Sequence, residues 1–267
     1  MTGKKVPSTS LVPLPGPPPE KVPAGEPAGV ALRSILAPPE LVEVVSARLG
    51  EVRERIAAAG VDPESVRIVA VTKGFGPEAV AAAVAAGLSD IGENYAAELL
   101  EKVPLVPGAR AHFLGAVQRN KIQKLAPVVA FWHGVSRAVE AEAIARRNQD
   151  AKILVEVDVT GLSGRTGVLL EEVPLLVAQL RRAGSNVVGL MTVGAPPGAV
   201  ADRARDELRA GEAFGEVARL GRSLGLSELS MGMSGNFEQA VVQGATMVRL
   251  GTALFGPRPV RQGLQQW

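Results

Sequence analysis

Val66-Arg67-Ile68-Val69-Ala70-Val71-Thr72-Lys73 is the stretch of this sequence that most constrains the fold. It follows the turn residues Asp62-Pro63, is short, and is rich in β-branched side chains. Because no polar residue alternates with the apolar ones between Ile68 and Val71, the pattern predicts a strand buried on both faces, as in a parallel sheet. A lysine at the end of such a strand is costly to desolvate unless its amine has a use. By itself, Lys73 is more simply interpreted as a side chain that extends from the strand end into water.

Strand-like and helix-like segments alternate along the rest of the chain. We predict strands at 66–72, 88–91, 111–114, 129–133, 152–158, 186–192, 228–231 and 246–250. We predict helices near 77–86, 94–103, 117–126, 137–148, 171–183, 202–225 and 235–243, preceded by a first helix from Pro39 to Ala59. Such alternation is typical of the α/β class, and eight strands fit a single (β/α)8 TIM barrel. An open doubly wound sheet is the alternative, which periodicity alone does not exclude.

The composition changes sharply only near the N-terminus. Residues 1–35 contain eight prolines with scattered glycines and no apolar period, so we predict a disordered tail. No apolar core of a signal peptide follows the early lysines. The remainder is predicted to form one barrel domain at 36–260, followed by a C-terminal tail at 261–267. No internal repeat is evident beyond the alternation.

Charge and composition exclude several classes of function. A net charge of +2 without a Lys/Arg run argues against a nucleic-acid surface. The absence of cysteine excludes disulfides and thiolate catalysis, and suits a reducing cytoplasm. His112 and His133 lie outside any metal-ligand motif, so we expect no metal, and we interpret both as packed or hydrogen-bonding residues at strand ends. No run reaches the roughly 18 apolar residues of a membrane span. We therefore expect a cytoplasmic protein without membrane or nucleic-acid partners.

Barrel active sites lie at the carboxyl ends of the strands, with phosphate often bound after the last two. The sequence places there Lys73, Gly92-Glu93-Asn94-Tyr95, Gly115 to Lys121, His133-Gly134-Val135-Ser136, Met191-Thr192, Ser230-Met231-Gly232-Met233-Ser234-Gly235 and Arg249-Leu250-Gly251-Thr252. The last two groups supply glycines and hydroxyls for an anion, beside a helix that opens near Gly235. A phosphate site together with an amine points to an aldehyde cofactor held as a Schiff base, namely pyridoxal 5′-phosphate.

The same residues carry a family resemblance. The sequence resembles the pyridoxal phosphate homeostasis protein family (the YggS/PROSC type) from about Leu41 to Arg258. The matching motifs are Val71-Thr72-Lys73, Gly92-Glu93-Asn94-Tyr95, His112-Phe113-Leu114-Gly115 with Gln118, Asn120 and Lys121, Ser230-Met231-Gly232-Met233-Ser234, and Arg249-x-Gly251-Thr252 with Phe255-Gly256. The resemblance implies a single barrel similar to the N-terminal domain of alanine racemase, with the cofactor on the lysine of the first strand.

The resemblance also implies a role for several residues. Lys73 would form the Schiff base, Asn94 would lie near the cofactor ring, and Arg249 would face the pyridine nitrogen. The phosphate would be held by Ser234, Gly251 and Thr252. The complete predicted cofactor-binding set is Lys73, Asn94, Ser136, Met231, Ser234, Gly235, Arg249, Gly251 and Thr252. We predict no metal ligand and no catalytic residue.

Three functions remain open at this point. The favoured one is a carrier that buffers pyridoxal phosphate or releases it to apo-enzymes that depend on it, and we expect that carrier to be a monomer. The first alternative is an amino-acid racemase or decarboxylase. Racemisation needs an acid–base group on each face of the cofactor, yet Tyr95 is the only tyrosine, and Arg249 at the ring nitrogen would weaken the electron sink. The second alternative is a barrel without cofactor whose Pro-rich tail binds a partner.

Overall fold

The computed structural model describes residues 35–162, 164–194 and 203–258, and for residues 203–209 it describes the backbone alone. The strands are β1 Arg67–Val71, β2 Asp90–Glu93, β3 Arg110–Phe113, β4 Val129–Val135, β5 Lys152–Asp158, β6 Val168–Leu169, β7 Val187–Thr192, β8 Glu228–Met233 and β9 Met247–Leu250. The α-helices are α1 Pro39–Ala58, α2 Pro77–Ala85, α3 Ala96–Lys102, α4 Arg119–Leu125, α5 Ala138–Ala145, α6 Val173–Arg182, α7 Arg203–Ser223, α8 Phe237–Val242 and α9 Thr252–Phe255. Short 3-10 helices span Pro63–Ser65, Val103–Leu105 and Leu170–Glu172.

Eight of the strands close into a parallel barrel. Neighbours pair in the order β1, β2, β3, β4, β5, β7, β8, β9, and β9 pairs again with β1. The two-residue β6 pairs beside β5 and takes no place in the ring. An open doubly wound sheet would leave two unpaired edges, so ring closure confirms the predicted barrel and excludes the alternative.

Burial on both faces explains the unbroken apolar sequence of β1. Successive side chains of a strand point to opposite faces. Val69 therefore joins a small cluster inside the barrel, made by Val69, Phe131, Leu154, Met191 and Met247. Ile68 and Ala70 point outward into the larger core between strands and helices. Helix α1 packs on that outer layer through Val45, Leu49, Val52 and Ile56, which recur at helical spacing.

The structure shifts several predicted boundaries. β2 ends at Glu93, so this carboxylate belongs to the strand end itself. β4 extends through Gly134 to Val135, and β8 extends through Gly232 to Met233. Both were predicted too short because a glycine interrupts the apolar run. β6, α9 and the 3-10 helices were not predicted, since so few residues show no period. The predicted tails at 1–35 and 261–267 lie outside the described residues, apart from Ile35, and stay predictions.

Candidate functional site

Lys73 lies in the turn that follows β1. The Thr72 N–H extends the strand ladder by donating to the Gly92 carbonyl at 3.1 Å, and the Phe75 N–H donates to the Thr72 carbonyl at 3.0 Å. Gly74 completes this turn with a φ of 82°, a conformation that glycine adopts without steric cost. The chain is thereby turned away directly after Lys73, and the lysine side chain stays half-buried at the strand end.

The surroundings of Lys73 favour its neutral amine. Burial lowers the pKa of Lys73, and the positive charges of Arg258 and Arg249 lower it further. The negative charge of Glu93 opposes these effects but does not reverse them. Because only the neutral amine is a nucleophile, this environment suits addition to an aldehyde.

Ser234 connects the loops that follow β8 and β9. Its hydroxyl oxygen accepts hydrogen bonds from the backbone N–H groups of Gly251 at 3.3 Å and Ala253 at 3.1 Å. Thr252, the first residue of α9, is exposed, and space is open around Gly235. We call Ser234, Gly235, Gly251 and Thr252 the anion cradle, since hydroxyl and backbone N–H donors of this kind suit a phosphate.

The anion cradle adjoins the strand that leads to Lys73. A Cβ atom added to Gly251 would lie 3.4 Å from the carbonyl oxygen of Val71, the last residue of β1. The closing pairing of β1 with β9 brings these strand ends side by side. An amine and an anion cradle therefore occupy neighbouring positions at one end of the barrel.

Arg249 is buried inside the barrel and makes three hydrogen bonds. Its Nη1 donates to the Ser230 carbonyl and to Ser230 Oγ, both at 2.6 Å, and its Nη2 donates to the Thr192 carbonyl at 2.8 Å. Burial lowers the pKa of Arg249 to about 10, although the carboxylate of Glu156 acts in the opposite direction. Arg249 therefore remains a cation at neutral pH.

Two glycines, Gly115 and Gly134, allow the backbone at the ends of β2, β3 and β4 to pack closely. A Cβ atom on Gly115 would lie 2.1 Å from the carbonyl oxygen of Asn94, and one on Gly134 would lie 2.5 Å from that of Gly115. This contact holds the half-buried Asn94 at the rim. Ser136 follows β4 and is also half-buried, with its N–H donating to Glu140 Oε2 at 3.0 Å.

Met231 is placed differently from the other predicted residues. Its side chain is fully buried in the outer core between the strands and helices. The preceding Ser230 points into the barrel, where it meets Arg249. A contact between Met231 and a ligand at the strand ends would therefore have to use its backbone.

Sequence reasoning assigned no role to three charged residues near the site, although Glu93 belongs to one of the quoted motifs. Glu156 of β5 is buried, accepts a hydrogen bond from Thr166 Oγ1 at 2.6 Å, and has its pKa raised by burial. Glu93 is buried at the end of β2, and Arg258 acts on Lys73 through its charge. A glutamate inside the apolar run of β5 was a usable signal, because buried carboxylates are rare without a purpose.

Two pockets in the described part of the chain share no lining residue. One of about 600 Å³ is lined by Lys73, Gly74, Tyr95, Ala97, Glu98, Glu101 and Arg258. A larger groove of about 900 Å³ lies between α7 and α8 and contains none of the predicted site residues. Among the described residues, no His, Asp or Glu cluster could hold a metal ion. Within the same ranges, no helix combines the length and apolarity that crossing a membrane requires.

Comparisons with known proteins agree on one family. Residues 48–259 match the family model described as alanine racemase, N-terminal domain. The pyridoxal phosphate homeostasis protein of Deinococcus radiodurans is 40% identical over 216 residues, which cover 79% of this chain and 99% of that protein.

Solved structures share the fold of this chain. A protein from Bifidobacterium adolescentis superposes with a TM-score of 0.73 at 28% identity, covering 84% of this chain and 99% of that one. PipY of Synechococcus elongatus, solved with pyridoxal phosphate bound, superposes with a TM-score of 0.66 at 31% identity, covering 79% and 100% of the two chains.

Proposed function

The chain belongs to the pyridoxal phosphate homeostasis protein family, and from this premise we propose that it binds pyridoxal 5′-phosphate at the carboxyl ends of its barrel strands. One observation carries the proposal: Lys73, with its lowered pKa, follows the strand that adjoins the anion cradle. The Synechococcus relative, solved with this cofactor bound, supports the same conclusion. When bound, pyridoxal phosphate supplies an aldehyde that reacts reversibly with primary amines.

The residues present fit each chemical part of the cofactor. We assign the Schiff base to Lys73, whose neutral amine is favoured by burial and by two nearby cations. We assign the phosphate to the anion cradle, because the Ser234 and Thr252 hydroxyls and the backbone N–H groups near Gly235 are suitable donors, while the Gly251 N–H holds Ser234 in place by donating to its Oγ. We assign the pyridine nitrogen to Arg249, and Asn94 and Ser136 to the rim around the ring.

We further propose that the protein carries the cofactor and does not use it for catalysis. Arg249 keeps its proton at neutral pH, so a ring nitrogen facing it would stay unprotonated and the ring would be a weak electron sink. The name of the homologous proteins supports a role in homeostasis. Apo-enzymes that depend on pyridoxal phosphate are the proposed recipients. The monomeric state and the cytoplasmic location stay predictions.

A racemase or decarboxylase is the second candidate. The matching family model is described by an alanine racemase domain, and Tyr95 lines the same pocket as Lys73. A tyrosine beside the lysine could exchange protons with a bound amino acid. The tyrosine is 62% exposed, however, and water around it would weaken the control over proton transfer that racemisation needs.

Two measurements on the purified protein test these proposals. Visible absorbance after addition of pyridoxal phosphate should reveal the bound Schiff base, and an unchanged spectrum would contradict binding through an amine. Incubation with L-alanine, L-lysine or L-ornithine in deuterium oxide separates carrier from enzyme. We expect Cα exchange no faster than with free pyridoxal phosphate. Turnover near an enzyme-like rate of about 1 s⁻¹ would instead establish the racemase or decarboxylase.

A further inference from the structure

A continuous chain of buried polar side chains crosses the barrel interior and ends at Arg249. The Asp90 carboxylate lies 2.6 Å from His112 Nε2, and His112 Nδ1 lies 2.9 Å from His133 Nε2. His133 Nδ1 lies 3.0 Å from Ser230 Oγ, which accepts from Arg249 Nη1 at 2.6 Å. All five residues are buried. The chain runs from β2 through β3 and β4, and then across the barrel to β8 and β9.

The hydrogen-bond distances and the pKa directions together assign one arrangement of protons to these five residues. Burial alone would raise the pKa of Asp90, but hydrogen bonds from His112 and Arg110 outweigh it and hold that pKa well below the ordinary range. Asp90 is therefore an acceptor, and His112 must donate from Nε2. Burial lowers the pKa of both histidines, so each ring carries one proton. His112 Nδ1 then accepts from His133 Nε2, and His133 Nδ1 accepts from the Ser230 hydroxyl.

Both ends of the chain are fixed by charge. At one end, Arg110 donates to the two oxygens of Asp90 at 2.6 and 2.7 Å, and Arg67 lies 3.7 Å from the same carboxylate. At the other end, Arg249 is a buried cation. Every donor points from Arg249 toward Asp90, so the two charges polarise the bonds between them in one direction.

Packing against an aromatic ring also fixes the orientation of His112. His112 stacks on Phe131 with ring centroids 4.4 Å apart and an interplanar angle of 7°. Phe131 belongs to the small cluster inside the barrel. Apolar side chains could fill this volume without the cost of burying polar groups. What apolar side chains could not supply is an acceptor that draws the Ser230 proton away from Arg249.

We propose that His112 and His133 are positioning residues that turn the Ser230 hydroxyl proton away from Arg249, so that the hydroxyl oxygen accepts from the guanidinium and fixes its orientation. This inference rests on the proposed function, in which Arg249 faces the cofactor's pyridine nitrogen. Without His133, the Ser230 hydroxyl would lose its acceptor and could rotate. The guanidinium would then keep its two carbonyl partners but lose the bond that completes its alignment.

The proton arrangement can be measured without any cofactor. Nitrogen-15 NMR of the full chain labelled at histidine should show both rings neutral at pH 7, each protonated on Nε2. A proton on Nδ1 of either ring, or a doubly protonated ring, would overturn the inference. Because the chain contains only two histidines, the signals can be assigned with one substitution.

Two substitutions of His133 test whether it positions the Ser230 hydroxyl. His133→Gln offers an amide that can both donate to His112 and accept from Ser230, whereas His133→Leu can do neither. We expect His133→Leu to weaken pyridoxal phosphate binding about tenfold, at the low end of effects from residues that orient a ligating group. The nitrogen-15 signal of ring-labelled cofactor should also move. The affinity of His133→Gln for pyridoxal phosphate should stay within about threefold of wild type, because the amide keeps the direction of the hydrogen bonds.

Three outcomes would overturn the inference. They are a folded His133→Leu variant with wild-type affinity and ring-nitrogen signal, a His133→Gln variant as impaired as His133→Leu, and a Ser230→Ala variant without any change. Ser230→Ala removes only one oxygen and covers the case in which His133→Leu fails to fold. If wild-type protein did not bind the cofactor, the proposed function would fail, and NMR would still decide whether the histidines orient the Ser230 hydroxyl.

Discussion

The Ser234 hydroxyl oxygen lies 3.3 Å from the backbone nitrogen of Gly251, which ties the loop after β8 to the loop after β9. The same oxygen accepts from Ala253, so its own hydrogen remains available for an anion. This contact gives the anion cradle its shape before any ligand arrives. A preformed set of donors is the feature that distinguishes a phosphate site from a merely polar surface.

Thr252→Val tests the anion cradle directly. Thr252 is exposed at the start of α9, so the substitution removes a hydroxyl with little effect on packing. A charge-assisted hydrogen bond contributes roughly 1.5–3 kcal/mol, and we expect pyridoxal phosphate to bind about ten- to a hundredfold more weakly. Pyridoxal, which lacks the phosphate, should bind wild type and variant equally poorly. Equal wild-type affinity for the two compounds would place the phosphate elsewhere.

Arg258→Gln tests the electrostatic control of Lys73. Among the charges that lower the pKa of Lys73, Arg258 acts more strongly than Arg249. Removing the positive charge should raise that pKa and shift the pH midpoint of adduct formation with pyridoxal phosphate upward. At neutral pH the rate should fall, because less of the amine is neutral. Arg119→Gln, an exposed arginine on α4, is the matched control. An unchanged midpoint for Arg258→Gln would contradict this account of Lys73.

The folding stability should depend on pH through Asp90. Its pKa is lower in the folded protein than in the unfolded chain, so the ionised carboxylate stabilises the fold. That stabilisation is complete above the unfolded pKa of about 3.9 and is lost as the pH falls below it. Denaturant unfolding should therefore show Asp90→Asn destabilised by roughly 2 kcal/mol, as for a lost hydrogen bond to a charged group. The difference should be constant above about pH 5 and shrink below pH 4. A constant difference down to pH 2 would contradict the assignment.

Gly134→Ala tests the close packing of the strand ends. The added methyl would lie 2.5 Å from the carbonyl oxygen of Gly115, so backbone must move. We expect a loss of about 1–3 kcal/mol in the free energy of unfolding, together with weaker cofactor binding. Gly50→Ala is the matched control, since nothing lies within 4 Å of its added methyl. In helix α1 that change should be neutral or stabilising by up to about 1 kcal/mol. Equal changes in the free energy of unfolding for Gly134→Ala and Gly50→Ala would show that the close contact between Gly134 and Gly115 does not matter for stability.

The barrel was predictable because strand-like segments alternate with helix-like ones, and Lys73 stood out because it follows the unbroken apolar run of β1. The anion cradle was predictable as a set of glycines and hydroxyls, although its contact between Ser234 and Gly251 was not. Which face a side chain takes depends on the phase of each strand and on where the strand ends. The sequence did not show that the Met231 side chain packs in the outer core while Ser230 faces inward, and the prediction that Met231 contacts the cofactor stays a prediction.

The polar chain from Asp90 to Arg249 was beyond sequence reasoning for a similar reason. His112 and His133 were expected to be packed or hydrogen-bonding residues at strand ends. The structure confirms their hydrogen bonds but places His133 inside β4. The bond from His133 to Ser230 crosses the barrel and joins two residues that are 97 positions apart in sequence. No local sequence pattern predicts such a contact, because the contact forms only when the barrel closes.

The most direct test of the central claim is borohydride reduction of the protein after incubation with pyridoxal phosphate, followed by peptide mass analysis. Reduction turns a Schiff base into a stable amine and marks the lysine that carried it. Lys73→Ala and Lys121→Ala, which removes an exposed lysine on α4, are compared with wild type. We predict one reduced adduct, located on Lys73 in wild type and Lys121→Ala, and absent from Lys73→Ala. An adduct that persists at another lysine in Lys73→Ala with wild-type yield would contradict the account.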